Sequence, residues 1–438
     1  LAEEVVRQGG QVFNQDRILA SDTFAKKKVL LVSHELNLTG AAVTLNYFAQ
    51  FIAHQGYFPV VMVPQTGALC DQMRQEAFLI LVYDQVYQSD LVSRYADLFD
   101  LIVVCTTAGA SLVAQLNGAH IPVLWWIHEA HASYSDRELS AMPETLEDNV
   151  HVYCGGTYAQ QVLAQYRPSY QAKQLLYFVP DYANKLPTDP SFPLEYAEGK
   201  IIFAVVGMQE QRKGQDILFR AIRSMDPKLQ KQCLFVIAGR QFHPSIFQEI
   251  LSITEDYPRN VLYIEDLGRE DLTSLYRQMD CLICSSRDDP MPTAVTEAML
   301  MSKVIICSEN TGSADMLTQM DAGLVYHDND PEALAQCIAY VCAHHRDDDL
   351  LPLRQHARQA YEHYFSQTAF DASVSEIMQQ LIRPSAPPRP YQGTVSVIIP
   401  TYNAGEEIVA LIQTLQQQQN IGHVEIIVVD SESKDGTA

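Results

Sequence analysis

Asp289 and Glu297 are the residues whose types and spacing most clearly promise chemistry. They lie in Ser285-Ser-Arg-Asp-Asp-Pro-Met-Pro-Thr-Ala-Val-Thr-Glu-Ala-Met299. The apolar run before it, Cys281-Leu-Ile-Cys284, predicts a buried parallel strand. Pro290 and Pro292 stiffen the connection, and from Thr293 good helix formers run through Met301. Thr293 and Glu297 are spaced to share one helix face. Loops at the carboxyl ends of parallel strands are where ligands bind. A helix start offers N–H groups to an anion, and carboxylates accept bonds from hydroxyls. Phosphate and polyol recognition side by side is what a nucleotide sugar requires.

Two further segments supply matching groups. Gly207-Met-Gln-Glu-Gln-Arg-Lys-Gly-Gln-Asp216 follows a predicted strand and opens a helix, placing the cations Arg212 and Lys213 where phosphate charge could be met. Cations at a helix start oppose its dipole, which favours an anionic partner. Trp125-Trp-Ile-His-Glu-Ala-His131 ends another strand, with His128 the leading candidate there and Glu129 and His131 weaker ones. Cys281 and Cys284 are spaced to point to opposite strand faces, and no second C-x-x-C accompanies them, so zinc or redox use is not expected.

The elements that must position these groups alternate strand and helix. Strands are predicted at 26–33, 59–63, 78–83, 101–105 and 123–127, with short ones at 151–154 and 174–179. A second series has strands at 201–206, 233–238, 261–264, 281–284 and 304–307. The fold class is therefore α/β with parallel sheets. Residues 1–25 stay unassigned. The first body spans 26–185, the second 186–366, and a helix in 367–382 is expected to cross back to the first. A Pro-rich linker covers 383–393, and a separate strand-helix-strand segment fills 394–438.

The chain has 438 residues and a net charge of −23, which argues against a nucleic-acid binder. No apolar run approaches the ~18 residues of a membrane span. The opening Leu1-Ala-Glu-Glu is not a signal-peptide pattern. Nine scattered cysteines suggest reduced thiols and a cytoplasmic setting.

The Asp289-to-Glu297 segment resembles the E-x7-E motif of retaining family-4 glycosyltransferases, with Asp in the place of the first Glu. That resemblance implies GT-B architecture, two Rossmann-like domains facing a cleft. It implies that Glu297 binds the nucleotide ribose and that Asp289, Met291, Pro292 and Thr293 serve the donor sugar and phosphates. Gly207, Arg212 and Lys213 resemble the diphosphate turn, although Met208 stands where many relatives carry Arg. Gly40, in His34-Glu-Leu-Asn-Leu-Thr-Gly-Ala-Ala42, resembles the glycine loop, and His128 the histidine that faces the donor sugar. Gly239 and Arg240 match the base-binding side. The implied catalytic set is His128, Arg212, Lys213 and Asp289.

The tail segments Val395-Ser-Val-Ile-Ile-Pro-Thr-Tyr-Asn403 and Glu425-Ile-Ile-Val-Val-Asp430 resemble the start of a family-2, GT-A glycosyltransferase, with Thr401, Tyr402 and Asp430 at its nucleotide site. An incomplete GT-A-like βαβ is expected there.

The implied function is transfer of a sugar from a nucleoside-diphosphate sugar to a glycan or lipid-linked acceptor, in surface polysaccharide synthesis. It would occur in the cytoplasm or at the inner membrane face, leaving room for peripheral membrane contact. No metal or other cofactor is expected for the main site; a divalent ion would serve only a complete GT-A domain. A nucleotide-sugar 2-epimerase of the same fold and a non-catalytic nucleotide-sugar binding module are the alternatives.

Overall fold

Strand Lys28–Val32 is buried along nearly its whole length and pairs in parallel with Phe58–Val63 on one side and Leu101–Cys105 on the other. A computed structural model describes residues 1–18, 26–183, 194–327, 329–345, 348–382, 391–405, 407–417 and 421–435. The first sheet extends from this centre through Leu79–Val82 on one flank. On the other it continues through Val123–Ile127, Val150–Cys154 and Lys173–Gln174. Strands such as Leu-Ile-Val-Val-Cys at 101–105 are buried on both faces, the pattern of a parallel sheet covered by helices. The chain reverses its direction of growth between Lys28–Val32 and Leu101–Cys105. The loops leaving these two strands therefore diverge and open a crevice.

Residues 1–18, unassigned from sequence, belong to this sheet. Strand Gln11–Phe13 pairs antiparallel with Leu79–Val82, and Val5 of helix Ala2–Arg7 is fully buried. The strand expected at 174–179 is shorter than predicted. Only Lys173–Gln174 pairs with its neighbour. Beyond it, the Leu175 carbonyl accepts from the Trp126 indole N–H (3.0 Å), and Phe178 packs on Tyr47 and Phe370. Side-chain packing at the cleft took precedence over strand pairing.

The second sheet repeats the plan. Its order is Val261–Ile264, Cys233–Ala238, Ile201–Val206, Cys281–Cys284, Val304–Ser308, Leu324–Tyr326, all parallel. Cys281 and Cys284 do face opposite layers of its core. The reversal falls between Ile201–Val206 and Cys281–Cys284, the strands that lead into Gly207–Asp216 and Ser285–Pro292. Helix Gln367–Leu381 then buries Phe370, Val374, Ile377, Met378 and Leu381, one stripe at helical spacing. Phe370 meets Phe178, which itself packs on Tyr47 of helix Gly40–His54 in the first body.

Residues 382–438 form a separate compact unit. In it, strands Tyr391–Thr401 and Ile421–Asp430 pair in parallel around helix Glu407–Gln416. Ile398 and Val429 are exposed on this small sheet, because one helix covers little of it.

Candidate active site

The two crevices open onto one cleft. A cavity of about 570 Å³ is lined from the first body by the His34–Thr44 loop and helix start, Thr106 and His128-Glu129. From the second body it is lined by Arg269, Pro290, Met291, Thr293 and Glu297. A smaller cavity of about 210 Å³ adjoins it, lined by Gly207, Lys213, Ser285, Ser286, Pro292, Thr293 and Glu297. Thr293 and Glu297 border both. Helix Thr293–Leu300 starts there with no side-chain cap, leaving its first N–H groups without a partner from a capping residue.

Asp289 lies in the second body with its side chain 6% exposed. Lys213 Nζ donates to its Oδ2 at 2.6 Å, and Arg212 Nη1 lies 3.7 Å away. Its backbone N–H is bonded to the Asn310 carbonyl, and its carbonyl accepts from Gly312 N–H. Arg212 also bonds Glu210 Oε1 (2.7 Å) and the Asp288 carbonyl (2.8 Å). Lys213 is thus a half-buried, paired cation. It sits in a short turn ahead of helix Gln215–Ser224, with Asp216 in the helix's own first turn, so the dipole conflict is relieved within the chain. Gly214, at φ 66°, lets this turn lie against the next strand end: a Cβ there would meet the Ser285 carbonyl at 2.0 Å.

Glu297, also 6% exposed on its side chain, accepts from Arg269 Nη1 at 2.9 Å, and Arg269 stacks over the Tyr182 ring at 4.4 Å. Sequence reasoning missed Arg269. It stands in a polar helix start, Gly268-Arg-Glu-Asp271, that reads as a solvated face.

His128 ends strand Val123–Ile127. Its ring packs on Trp126 at 4.7 Å and its Nε2 is buried without a partner. Burial, with His34 facing it, pushes its pKa down to about 3, so the ring is neutral. Glu129 lines the cavity, whereas His131 does not. Glu129 Oε1 accepts from Thr107 N–H (2.9 Å) and Oε2 from His128 N–H (2.8 Å). Burial outweighs these bonds and pushes its pKa up to about 7. Thr106, unremarkable in sequence, has φ 70°, a strained value for a β-branched residue. The Trp125 indole N–H holds its carbonyl at 2.9 Å, a bond worth about 1 kcal/mol.

Asp288 is the second residue missed, since nothing in Asp288-Asp289 says which carboxylate faces which way. Its oxygens accept from His131 N–H, Ala132 N–H (2.7 Å) and Tyr158 Oη (2.9 Å), all in the first body. Thr157 to Asp315 (2.7 Å) is a second tie across the cleft.

Of the sequence candidates, Gly40, His128, Met291, Pro292, Thr293, Glu297, Gly207 and Lys213 line the two cavities. Asp289 stands behind them, bonded to Lys213, with Arg212 3.7 Å from the same carboxylate oxygen. Arg240 does not join them: it is exposed and paired with Asp266 at 3.0 Å. Nor does Gly239 line either cavity. A Cβ there would meet the Gly207 carbonyl at 2.0 Å, so the glycine serves packing between adjacent strand ends. In the separate C-terminal unit, Asp430 accepts from Thr401 Oγ1 (3.2 Å) and Ser433 N–H (2.9 Å), and Tyr402 is exposed.

Residues 25–152 match the glycosyl-transferase family 4 description, residues 189–360 glycosyl transferases group 1, and residues 396–438 glycosyl transferase family 2. The chain belongs to the GT-B glycosyltransferases. Among solved structures the transferase is similar to HepE of Anabaena in complex with UDP. The identity is 15% over 81% of this chain and all of that one, with a TM-score of 0.65. A glycosyltransferase of Rickettsia africae is similar at 16% identity over 82% of this chain and all of that one, TM-score 0.67. Sucrose-phosphate synthase of Thermosynechococcus elongatus is similar at 16% over 81% of this chain and 99% of that one, TM-score 0.64. No curated protein matches the transferase by sequence.

Proposed function

We propose that the transferase moves a sugar, with retention of anomeric configuration, from a nucleoside-diphosphate sugar to a hydroxyl of a glycan or lipid-linked acceptor in surface polysaccharide synthesis. The observation that carries this is the junction of the two cavities. Lys213 and an uncapped helix start border one side, and the carboxylate of Glu297 borders both. The diphosphate would take Lys213 and Arg212 from Asp289, and the freed carboxylate would accept from donor-sugar hydroxyls. Glu297 would accept from the ribose, and Met291, Pro292 and Thr293 would offer backbone at the sugar. HepE of Anabaena has been crystallised with UDP and with UDP-glucose, which makes these the first probes.

In the reaction the acceptor oxygen bonds to the anomeric carbon as the carbon–oxygen bond to the diphosphate breaks. The acceptor proton needs a base. His128, with a pKa near 3, is a poor one. Both oxygens of Glu129 already accept bonds from Thr107 and His128. We take the departing diphosphate as that base: it lies on the face it leaves, so attack from that face retains configuration. Lys213 and Arg212 stabilise the charge that grows on it. Among the described residues no three His, Cys, Asp or Glu side chains converge as a metal site, and these two cations are proposed to act without one.

Incubation with a panel of nucleotide sugars, followed by NMR of the product, tests this. The expected result is transfer or slow donor hydrolysis with the donor's anomeric configuration kept, in chelator as in buffer. An inverted product, an epimerised donor, or nucleotide binding with no turnover would overturn it.

A further inference from the structure

Arg212 and Lys213 sit on a short turn, Gln211–Lys213, that ends at Gly214 with φ 66°. A 3-10 turn this short closes poor bonds of its own. Its carbonyls are taken instead by the loop that leaves strand Cys281–Cys284. Ser285 Oγ donates to the Lys213 carbonyl (3.0 Å), Arg287 N–H to the Arg212 carbonyl (2.8 Å) and Arg287 Nη1 to the Gln211 carbonyl (2.9 Å). The same guanidinium forks onto Asp216, Nη1 to Oδ1 and Nη2 to Oδ2, both at 2.6 Å. Asp216 belongs to the first turn of helix Gln215–Ser224, and its side chain is buried. Arg287 therefore grips the chain on both sides of Gly214, the left-handed joint where the backbone is freest. A planar guanidinium can do this because it presents several donors in a fixed fork, whereas a lysine presents a point charge. An ion pair that served stability alone would need only the carboxylate. Arg220 forms a pair of that kind. It meets Asp216 from one turn along the same helix, and among the described residues it has no bond to Gln211, Arg212 or Lys213.

We propose that Arg287 is a positioning residue for sugar transfer: by joining the Gln211 carbonyl to the Asp216 carboxylate, it fixes the turn from which Arg212 and Lys213 meet the donor diphosphate. This rests on the reading of those two cations as the diphosphate site. Arg287 lines neither cavity, so it acts through them and not on the donor. Lys213 Nζ lies 2.6 Å from Asp289 Oδ2 and must pass from it to a phosphate oxygen without the backbone yielding. A cation displaced by about 1 Å stabilises the departing charge far less, and misplacement on that scale costs about 10²-fold in rate.

The experiment uses the full chain. Hydrolysis of UDP-glucose, UDP-galactose, UDP-N-acetylglucosamine and GDP-mannose is measured first; turnover of none would overturn the transferase reading and this proposal with it. On the donor that turns over, Lys213→Ala then tests the cation reading by itself, and undiminished turnover would remove that reading. Arg287→Lys keeps the charge but cannot hold the turn and the helix together. Its kcat is expected to fall about tenfold or more, with a smaller rise in KM. Asp216→Asn weakens the fork but leaves the Gln211 bond, and a smaller fall of the same kind is expected. Arg220→Ala strips the same carboxylate of its other partner and is expected to keep the wild-type kcat and KM, whatever melting temperature it loses. If Lys213→Ala loses turnover while Arg287→Lys keeps the wild-type kcat, the positioning role falls and the cation reading stands. Equal losses of kcat in Arg287→Lys and Arg220→Ala would likewise reduce Arg287 to a structural ion pair.

Discussion

The two walls of the cleft solve the problem of an empty site in opposite ways. On the second body the charged groups named at the cleft are matched within the chain: Lys213 and Arg212 with Asp289, Arg269 with Glu297. On the first body three neutral polar atoms are left unmatched, His34 Nδ1, Thr106 Oγ1 and His128 Nε2, beside the carboxylates Glu35 and Glu129, which accept hydrogen bonds from their own loops. The physical reason is the size of the penalty. An unpaired buried charge costs several kcal/mol, whereas an unpaired neutral donor or acceptor costs about 1–3 kcal/mol. The fold can tolerate the second and not the first. A wall of matched charges binds by exchange, its cations passing from a carboxylate to an anion. A wall of unmatched neutral groups binds by completion.

If that contrast is right, Lys213→Ala should have the largest effect of any change in the cleft. It removes a proposed diphosphate cation and also strips Asp289 of its closest partner. Turnover is expected to fall by about 10²–10³-fold, and stability to drop by about 3 kcal/mol, since the carboxylate is left buried. The double variant Lys213→Ala with Asp289→Asn should recover much of the melting temperature and none of the turnover. Recovery of both would mean the pair is structural only.

Glu297→Gln should come next. The amide keeps the shape and one acceptor, but loses the charge that holds Arg269 and would hold the ribose. Nucleoside diphosphate affinity is expected to weaken by about 1.5–3 kcal/mol, as for a hydrogen bond to a charged group. Calorimetry with UDP reads this directly, and unchanged affinity would remove Glu297 from the donor site.

The neutral wall makes a pH prediction of its own. His128 has a folded-state pKa near 3, below the usual histidine value, so the fold favours its neutral form. Its contribution to stability is present above the ordinary histidine pKa and is lost as pH falls from about 6.5 towards 3, by up to about 1.4 kcal/mol per pH unit. Glu129 runs the other way. With its pKa raised to about 7, its contribution is present below the ordinary carboxylate value and is lost as pH rises from about 4.5 to 7. Wild type should therefore lose more melting temperature than His128→Gln between pH 6.5 and 4, and more than Glu129→Gln between pH 4.5 and 7. Parallel curves for wild type and variant would show that these groups do not titrate as a buried neutral pair.

The smallest effect on transfer is expected from removing residues 383–438. All the residues lining both cavities precede them. The separate C-terminal unit exposes Ile398, Val409, Val429 and other apolar side chains, which favour association. The shortened chain should keep its transfer rate and scatter less light at equal concentration. A folded but inactive product would assign the tail to the main site.

Sequence alone settled the fold class. Parallel strands buried on both faces write themselves as apolar runs, and eleven of the predicted strands need only local pattern to be found. It also brought out Asp289, Glu297, Lys213 and His128, because strand-to-helix loops at the carboxyl ends of a parallel sheet are where such a fold presents side chains. What sequence could not carry was partnership across long separations. Asp288 reaching His131, Ala132 and Tyr158, and Arg269 reaching Glu297, join positions distant in the chain, and no local pattern marks either. Arg240 shows the same limit: its strand-end position was legible, but the pairing of its side chain with Asp266 was set by the neighbouring loop. The neutral wall was likewise invisible, since whether His34, Thr106 and His128 find partners depends on what three separate strand ends bring beside them. Periodicity is a property of each strand and helix, so the sequence determined those; matched and unmatched charge is a property of the space between elements, so only the tertiary structure decided it.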